Sequence, residues 1–195
     1  MNKINWGIIG LGKVALKFAE AFKNIKNSRL IAVSSKNTNK LENFKKKFQI
    51  NEKYCFNKYE DLLENKDVDI VYIALPNSFH MEWIIKCIKN NKNILVEKPA
   101  TINYAEIKNI KSHLDNKNLF FSEGFMYLHH PQILKVISLI KENIIGKPIS
   151  MNSSYGINLL TKKFFFVFEK KKKIDKKNRL FNKELGGGAI LDLGC

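Results

Sequence analysis

Gly10, Gly12 and Ala15 are spaced Gly-x-Gly-x-x-Ala, directly after the apolar run Ile4–Ile9 and at the start of a helical pattern over residues 14–25. A glycine at 10 permits a tight turn, and one at 12 lets backbone approach an anion. Alanine at 15 lets the helix pack closely on the strand, while unsatisfied N–H groups at the helix start attract phosphate. In this context the motif points to a dinucleotide pyrophosphate held by Gly10, Leu11, Gly12, Lys13 and Val14, rather than to an ordinary strand–helix turn. The next apolar run, residues 30–33, ends in Ser34-Ser35-Lys36-Asn37. An NAD site carries an acidic residue there for the ribose 2′-hydroxyl. Ser35 and Lys36 can instead hydrogen-bond and neutralise a 2′-phosphate, so NADP is preferred over a solvent-exposed lysine with no ligand role, with NAD as the other dinucleotide. Lys98 follows the apolar run Asn93–Val96 and precedes Pro99. Its ammonium there can hold a hydroxyl or carbonyl oxygen and stabilise charge as hydride moves to or from a nicotinamide. Residue type alone leaves that role level with a surface lysine before a turn proline.

The elements that would position these groups alternate. Short apolar runs at 4–9, 30–33, 54–56, 69–75, 93–96 and 119–121 are separated by helical patterns at 14–25, 39–48, 59–64, 80–90 and 103–115. Thr38 is the expected N-cap of the second helix. Trp83, Ile84, Cys87 and Ile88 share one side of the fourth. This grammar predicts an α/β Rossmann-type parallel sheet covered on both faces. It changes near Tyr127. A helix opening at Pro131 and reaching Asn143 is followed by strands at 149–157 and 164–168, then a charged loop over 169–178 and a glycine cluster at 186–188. We read residues 1–126 as a nucleotide-binding domain and 127–195 as the start of an α+β substrate and oligomerisation domain with a largely antiparallel sheet.

Composition limits the alternatives. Across 195 residues, 45% are hydrophobic and 27% charged, which excludes a disordered or collagenous chain. No apolar run has the roughly 18 residues of a membrane span, so no membrane partner is expected. Cys55, Cys87 and Cys195 are odd in number and match no zinc spacing, so neither a disulfide framework nor a metal site is expected and a cytoplasmic location fits. The net charge of +16 invites a nucleic-acid reading, yet 32 of the 34 basic residues are lysine, and only Arg29 and Arg179 are arginine. Lysine lacks arginine's bidentate fork. A solvated basic surface is preferred, and no nucleic-acid partner is expected.

Several segments together resemble the Gfo/Idh/MocA family of oxidoreductases: Gly7-Ile8-Ile9-Gly10-Leu11-Gly12, Leu75-Pro76-Asn77-Ser78-Phe79-His80 and Val96-Glu97-Lys98-Pro99. Glu123-Gly124-Phe125-Met126-Tyr127, His130-Pro131-Gln132 and the final glycine-rich segment are similar to its dihydrodiol and xylose dehydrogenase branch. The resemblance implies that Leu75, Pro76, Asn77, His80 and Glu97 line the cofactor and that Lys98 stands where hydride is transferred. It places Glu123 near the cofactor as an acidic residue, although a strand-end carboxylate describes Glu123 equally well. At Leu128 the branch usually has arginine, and that residue's contact is not carried over. Arg179 and Asp192 match an arginine followed by a glycine cluster and Asp-x-Gly. In that pattern Asp192 faces the substrate, and a His or Tyr four positions later exchanges the proton. That position lies beyond Cys195, so the resemblance reads the chain as C-terminally truncated. A helix-start carboxylate is the other description of Asp192.

The implied activity is NADP-dependent hydride transfer with a hydroxyl or carbonyl of a sugar, polyol or dihydrodiol, by a homo-oligomer in the full-length form. A nucleotide-binding module without turnover is the first alternative. A basic nucleic-acid-binding protein, supported only by charge, is the second. His113 receives no role, and His129 and His130 belong to a helix entrance.

Overall fold

The computed structural model describes residues 3–154, 156, 158, 160–164, 168–171 and 179–194. β1 (Ile4–Ile9) leads through the glycine turn into α1 (Lys13–Ala21), β2 (Ser28–Ser34), α2 (Thr38–Phe48), β3 (Cys55–Phe56) and α3 (Tyr59–Glu64). β4 (Ile70–Ile73), α4 (His80–Lys89), β5 (Asn93–Val96), α5 (Tyr104–Leu114) and β6 (Phe121–Glu123) follow. All pairings are parallel, in the order β3-β2-β1-β4-β5-β6. The chain reverses direction across the sheet between β1 and β4, which is where an open parallel sheet leaves a crevice at its carboxyl edge.

Alternation along the strands divides the core in two. Ile9, Val71, Ile73, Ile94 and Val96 pack on one face against Leu62, Leu63, Trp83, Ile84, Cys87, Ile88 and Ile110 from α3, α4 and α5. Ile8, Val33 and Tyr72 pack on the other against Ala15, Ala19, Leu41 and Phe44 from α1 and α2. Every residue of β4 is buried, as expected of a central parallel strand covered on both sides. Truncating a fully buried residue such as Ile84 to alanine costs about 2–5 kcal/mol.

Five expectations are corrected. α2 is capped by Asn37, whose Oδ1 accepts the Lys40 N–H at 3.0 Å, so the helix includes Thr38 instead of starting after it. The last parallel strand begins at Phe121, because the Phe120 N–H is taken by the Asn93 side chain at 2.9 Å. Residues 149–154 form no strand, and Ile149 is 98% exposed; Ile157 lies outside the described residues. The strand expected at 164–168 is instead split between β7 (Thr161–Phe164) and β8 (Phe168–Lys171). These pair antiparallel with Phe164 opposite Phe168, so the two ends of the expected strand face each other. Of the expected charged loop, 169–171 belong to β8 and 172–178 lie outside the described residues. α6 (Pro131–Lys141) precedes this pair, with His130 Nδ1 accepting the Gln132 N–H at 3.2 Å. α7 (Ala189–Leu193) follows it.

Candidate functional site

Parallel register brings the strand ends Ile9, Ser34, Ile73, Val96 and Glu123 to one edge, so the loops after them converge there. Gly10 has φ +87°, and a Cβ on it would lie 2.6 Å from the Ala74 carbonyl oxygen, so no other residue fits this turn without strain. A Cβ on Gly12 would meet nothing within 4 Å, leaving open space at the start of α1. No side chain caps that helix, and the N–H groups of its first turn have no intrahelical acceptor. Leu11 is buried beneath the turn, Val14 is half-buried and Lys13 is exposed. The segment fits a pyrophosphate: its N–H groups are free of a competing cap, and its surface is free of a Cβ.

At the end of β2 the two proposed phosphate ligands separate. Ser35 is buried; its N–H donates to the Phe56 carbonyl at 3.1 Å and its Oγ accepts the Asn37 N–H at 3.1 Å. Lys36 is exposed, with its ammonium 5.8 Å from the centroid of the Tyr59 ring. Ser35 therefore shapes the turn, while Lys36 projects the charge.

The loop after β5 is held at successive residues. The Tyr72 hydroxyl donates to Glu97 Oε1, and the Lys98 ammonium donates to the main-chain carbonyl of Asp192. Burial, then the neighbouring carboxylate, raises the Tyr72 phenol well above its ordinary range. The Ala100 N–H donates to Glu123 Oε1 at 2.7 Å, which gives that carboxylate a positioning task. His80 is fully buried, with Nδ1 2.7 Å from the Pro99 carbonyl oxygen and Nε2 2.9 Å from that of Leu75. Its burial holds the imidazole below its ordinary value, against the opposing pull of the two carbonyls, Glu97 and Glu123. Both ring nitrogens of His80 are thus engaged inside the protein. Pro76 leads into a short turn at Asn77–Phe79. Asn77 is buried, and its Nδ2 donates to the Gly186 carbonyl at 2.9 Å, docking the glycine-rich segment on the loop after β4.

Thus Gly10–Val14, Leu75–Asn77 and Glu97–Lys98 do collect at one edge, and Asp192 reaches Lys98 through its backbone. Sequence reasoning passed over Tyr72, whose only signal was a hydroxyl-bearing ring in a strand otherwise of Ile and Val. It also passed over the docking of Gly186. Among the described residues no group of His, Cys, Asp and Glu could hold a metal. Among them, too, no helix is long and apolar enough to cross a membrane.

The profile of the GFO_IDH_MocA oxidoreductase family, with an NAD-binding Rossmann fold, matches residues 4–125. The chain belongs to the Gfo/Idh/MocA family. This family member is 28% identical over 192 residues to trans-1,2-dihydrobenzene-1,2-diol dehydrogenase of Xenopus tropicalis, covering 97% of this chain and 53% of that protein. It is 30% identical over 194 residues to dTDP-3,4-didehydro-2,6-dideoxy-alpha-D-glucose 3-reductase of Actinomadura kijaniata, covering 99% of this chain and 53% of the relative. Among solved structures it resembles a 3-ketoreductase from Actinomadura kijaniata in complex with NADP, at TM-score 0.68 and 31% identity over 75% of this chain and 46% of that one. Apo scyllo-inositol dehydrogenase from Lactobacillus casei gives TM-score 0.70 at 26% identity, over 74% and 43% of the two chains. The chain spans about half the length of the curated relatives it matches.

Proposed function

We propose that this chain serves NADP-dependent hydride transfer between the nicotinamide and a hydroxyl or carbonyl carbon of a sugar, polyol or dihydrodiol. The observation that carries the reading is the placement of Lys98 at the same sheet edge as the uncapped α1 start and the open Gly12 surface. The names of the relatives support the substrate class, and the NADP complex of the 3-ketoreductase supports the cofactor. Residues 1–126 serve the nucleotide and 127–195 the substrate side.

Gly10–Val14 hold the pyrophosphate, Lys36 meets the 2′-phosphate, and Pro76, Asn77 and Glu97 border the nicotinamide ribose. The nicotinamide, when bound, accepts or supplies the hydride. Lys98 holds the substrate oxygen and stabilises the charge that develops on it. Asp192, whose own main-chain carbonyl accepts from Lys98, faces the substrate.

The test titrates the chain with NADPH and NADH, then follows NADPH oxidation with a panel of keto sugars and diketones. NADPH binding is expected of this chain, and in a full-length form Lys98→Ala should keep the binding and lose about 10²-fold or more in rate. Absence of NADPH binding overturns the reading, and binding without turnover favours a nucleotide-binding module.

A further inference from the structure

His80 touches two loops that the proposed function uses for different purposes. The Leu75 carbonyl, 2.9 Å from Nε2, begins the Leu75-Pro76-Asn77 loop; the Pro99 carbonyl, 2.7 Å from Nδ1, belongs to the residue after Lys98. Carbonyl oxygens only accept, so the neutral ring that burial favours donates to one of them through whichever nitrogen carries its proton, and its two tautomers between them serve both; the doubly protonated ring donates to both at once. The helix start does not account for this arrangement, because α4 is flanked by Phe79 at its N-cap with no side-chain cap at all. The charged groups acting on the ring are Glu97, after β5, and Glu123, on β6. Both are themselves bonded within the same cluster, to Tyr72 and to the Ala100 N–H.

We propose that His80 is a positioning residue whose two ring nitrogens separately fix the cofactor-facing loop Leu75-Pro76-Asn77 and the Lys98-Pro99 turn, and so set the spacing between nicotinamide and lysine. This rests on the roles given to those loops under Proposed function. A buried side chain that merely filled space would hold both loops through its volume. One that acts through two directed contacts can be dissected nitrogen by nitrogen.

Asparagine places an amide N–H near the Nδ1 position and glutamine near Nε2. His80→Asn therefore keeps the Pro99 contact and loses that to Leu75, while His80→Gln does the reverse. In the isotope-labelled 195-residue chain, His80→Asn should shift the backbone resonances of residues 75–77 and spare those of 98–100. His80→Gln should move 98–100 and spare 75–77, and His80→Ala should move both. NADPH affinity should fall about three- to tenfold in His80→Ala, the loss expected for one hydrogen bond. Equal movement of both loops in the Asn and Gln variants, or of neither, overturns the proposal.

Should these variants fail to fold, the unaltered chain supplies the measurement. The carbonyl carbons of Leu75 and Pro99 should both titrate with the His80 ring nitrogens. A carbonyl that ignores the ring overturns the proposal. The two readings fail separately, since an unaltered chain that binds no NADPH refutes the cofactor assignment and leaves the resonance test standing.

Discussion

The Tyr72 hydroxyl donates to the Glu97 carboxylate across two neighbouring parallel strands. Tyr72 is in register with Leu95, and Glu97 lies two residues further on, so all three side chains share one face of the sheet. On that face the Tyr72 ring stacks 4.0 Å from the Phe18 ring of α1. The helix that starts at the phosphate turn is thereby packed against the tyrosine that bonds the residue before Lys98.

Tyr72→Phe should destabilise the chain by about 1–3 kcal/mol, because it leaves a partly buried carboxylate oxygen without its donor. It should also alter the alkaline limb of stability. The folded-state phenol is raised, so its contribution is complete below the ordinary value near 10 and is lost as pH climbs beyond it. Denaturant melts between pH 9 and 11 test this. The unaltered chain should lose stability over that interval more steeply than Tyr72→Phe, and parallel slopes would remove the Tyr72–Glu97 bond from the account.

The two glycines of the turn should separate folding from binding. Gly10→Ala places a Cβ 2.6 Å from a backbone oxygen at a φ of +87°, so a stability loss of about 1–3 kcal/mol or more is expected. Gly12→Ala has open space and should fold almost normally. Its new methyl occupies the surface a pyrophosphate would approach, so NADPH affinity should fall by about tenfold or more while the melting midpoint stays within a few degrees. A Gly12→Ala chain that binds NADPH at full strength would show that the nucleotide lies elsewhere.

The nucleotide half was legible because its signals are local. Gly10 and Gly12 are read from spacing, and Ile70–Ile73 from an unbroken apolar run. The cap at Asn37 was misplaced by one residue because Asn37 and Thr38 both carry capping side chains, and only the turn after Ser35 decides between them. The contacts of His80 were hidden for a different reason. By itself it reads as a helix-start histidine, the resemblance makes it a cofactor ligand, and the two carbonyls that meet its ring come from residues 5 positions before and 19 positions after. Past Tyr127 the aromatic run at 164–168 carried apolarity without alternation, and nothing in it showed that Phe164 and Phe168 would face each other.

Lys36 should decide between the two nicotinamide dinucleotides. It is exposed, and the end of β2 offers no carboxylate to a free 2′-hydroxyl. Lys36→Asp should weaken NADPH and strengthen NADH, each by about tenfold, through repulsion of the 2′-phosphate and a new acceptor for the hydroxyl. Paired fluorescence titrations measure both constants. Equal affinities for the two cofactors in the unaltered chain would remove the assignment from Lys36.

Gly186 should control whether the glycine-rich segment stays on the nucleotide half. It is buried at φ +73°, and its carbonyl accepts from Asn77. A Cβ there would lie 2.8 Å from Asn77 Cβ and 2.9 Å from Ile102 Cγ2. Neither neighbour gives way cheaply. Asn77 Cβ is attached directly to the backbone, and Ile102 leads into α5, whose start is fixed by Asn103 Oδ1 on the Glu106 N–H and Glu106 Oε2 on the Ile102 N–H. Left-handed backbone adds about 1–2 kcal/mol for a residue with a side chain. Gly186→Ala should therefore release residues 179–194, while the buried sheet core, which makes no use of Gly186, keeps its melting midpoint. Limited proteolysis should cut within 179–194 several-fold faster, and the Asn77 side-chain amide resonances should shift as they lose their acceptor. Asn77→Ala should speed the same cuts. Unchanged cleavage in both variants would show that the contact between Asn77 and Gly186 does not hold this segment.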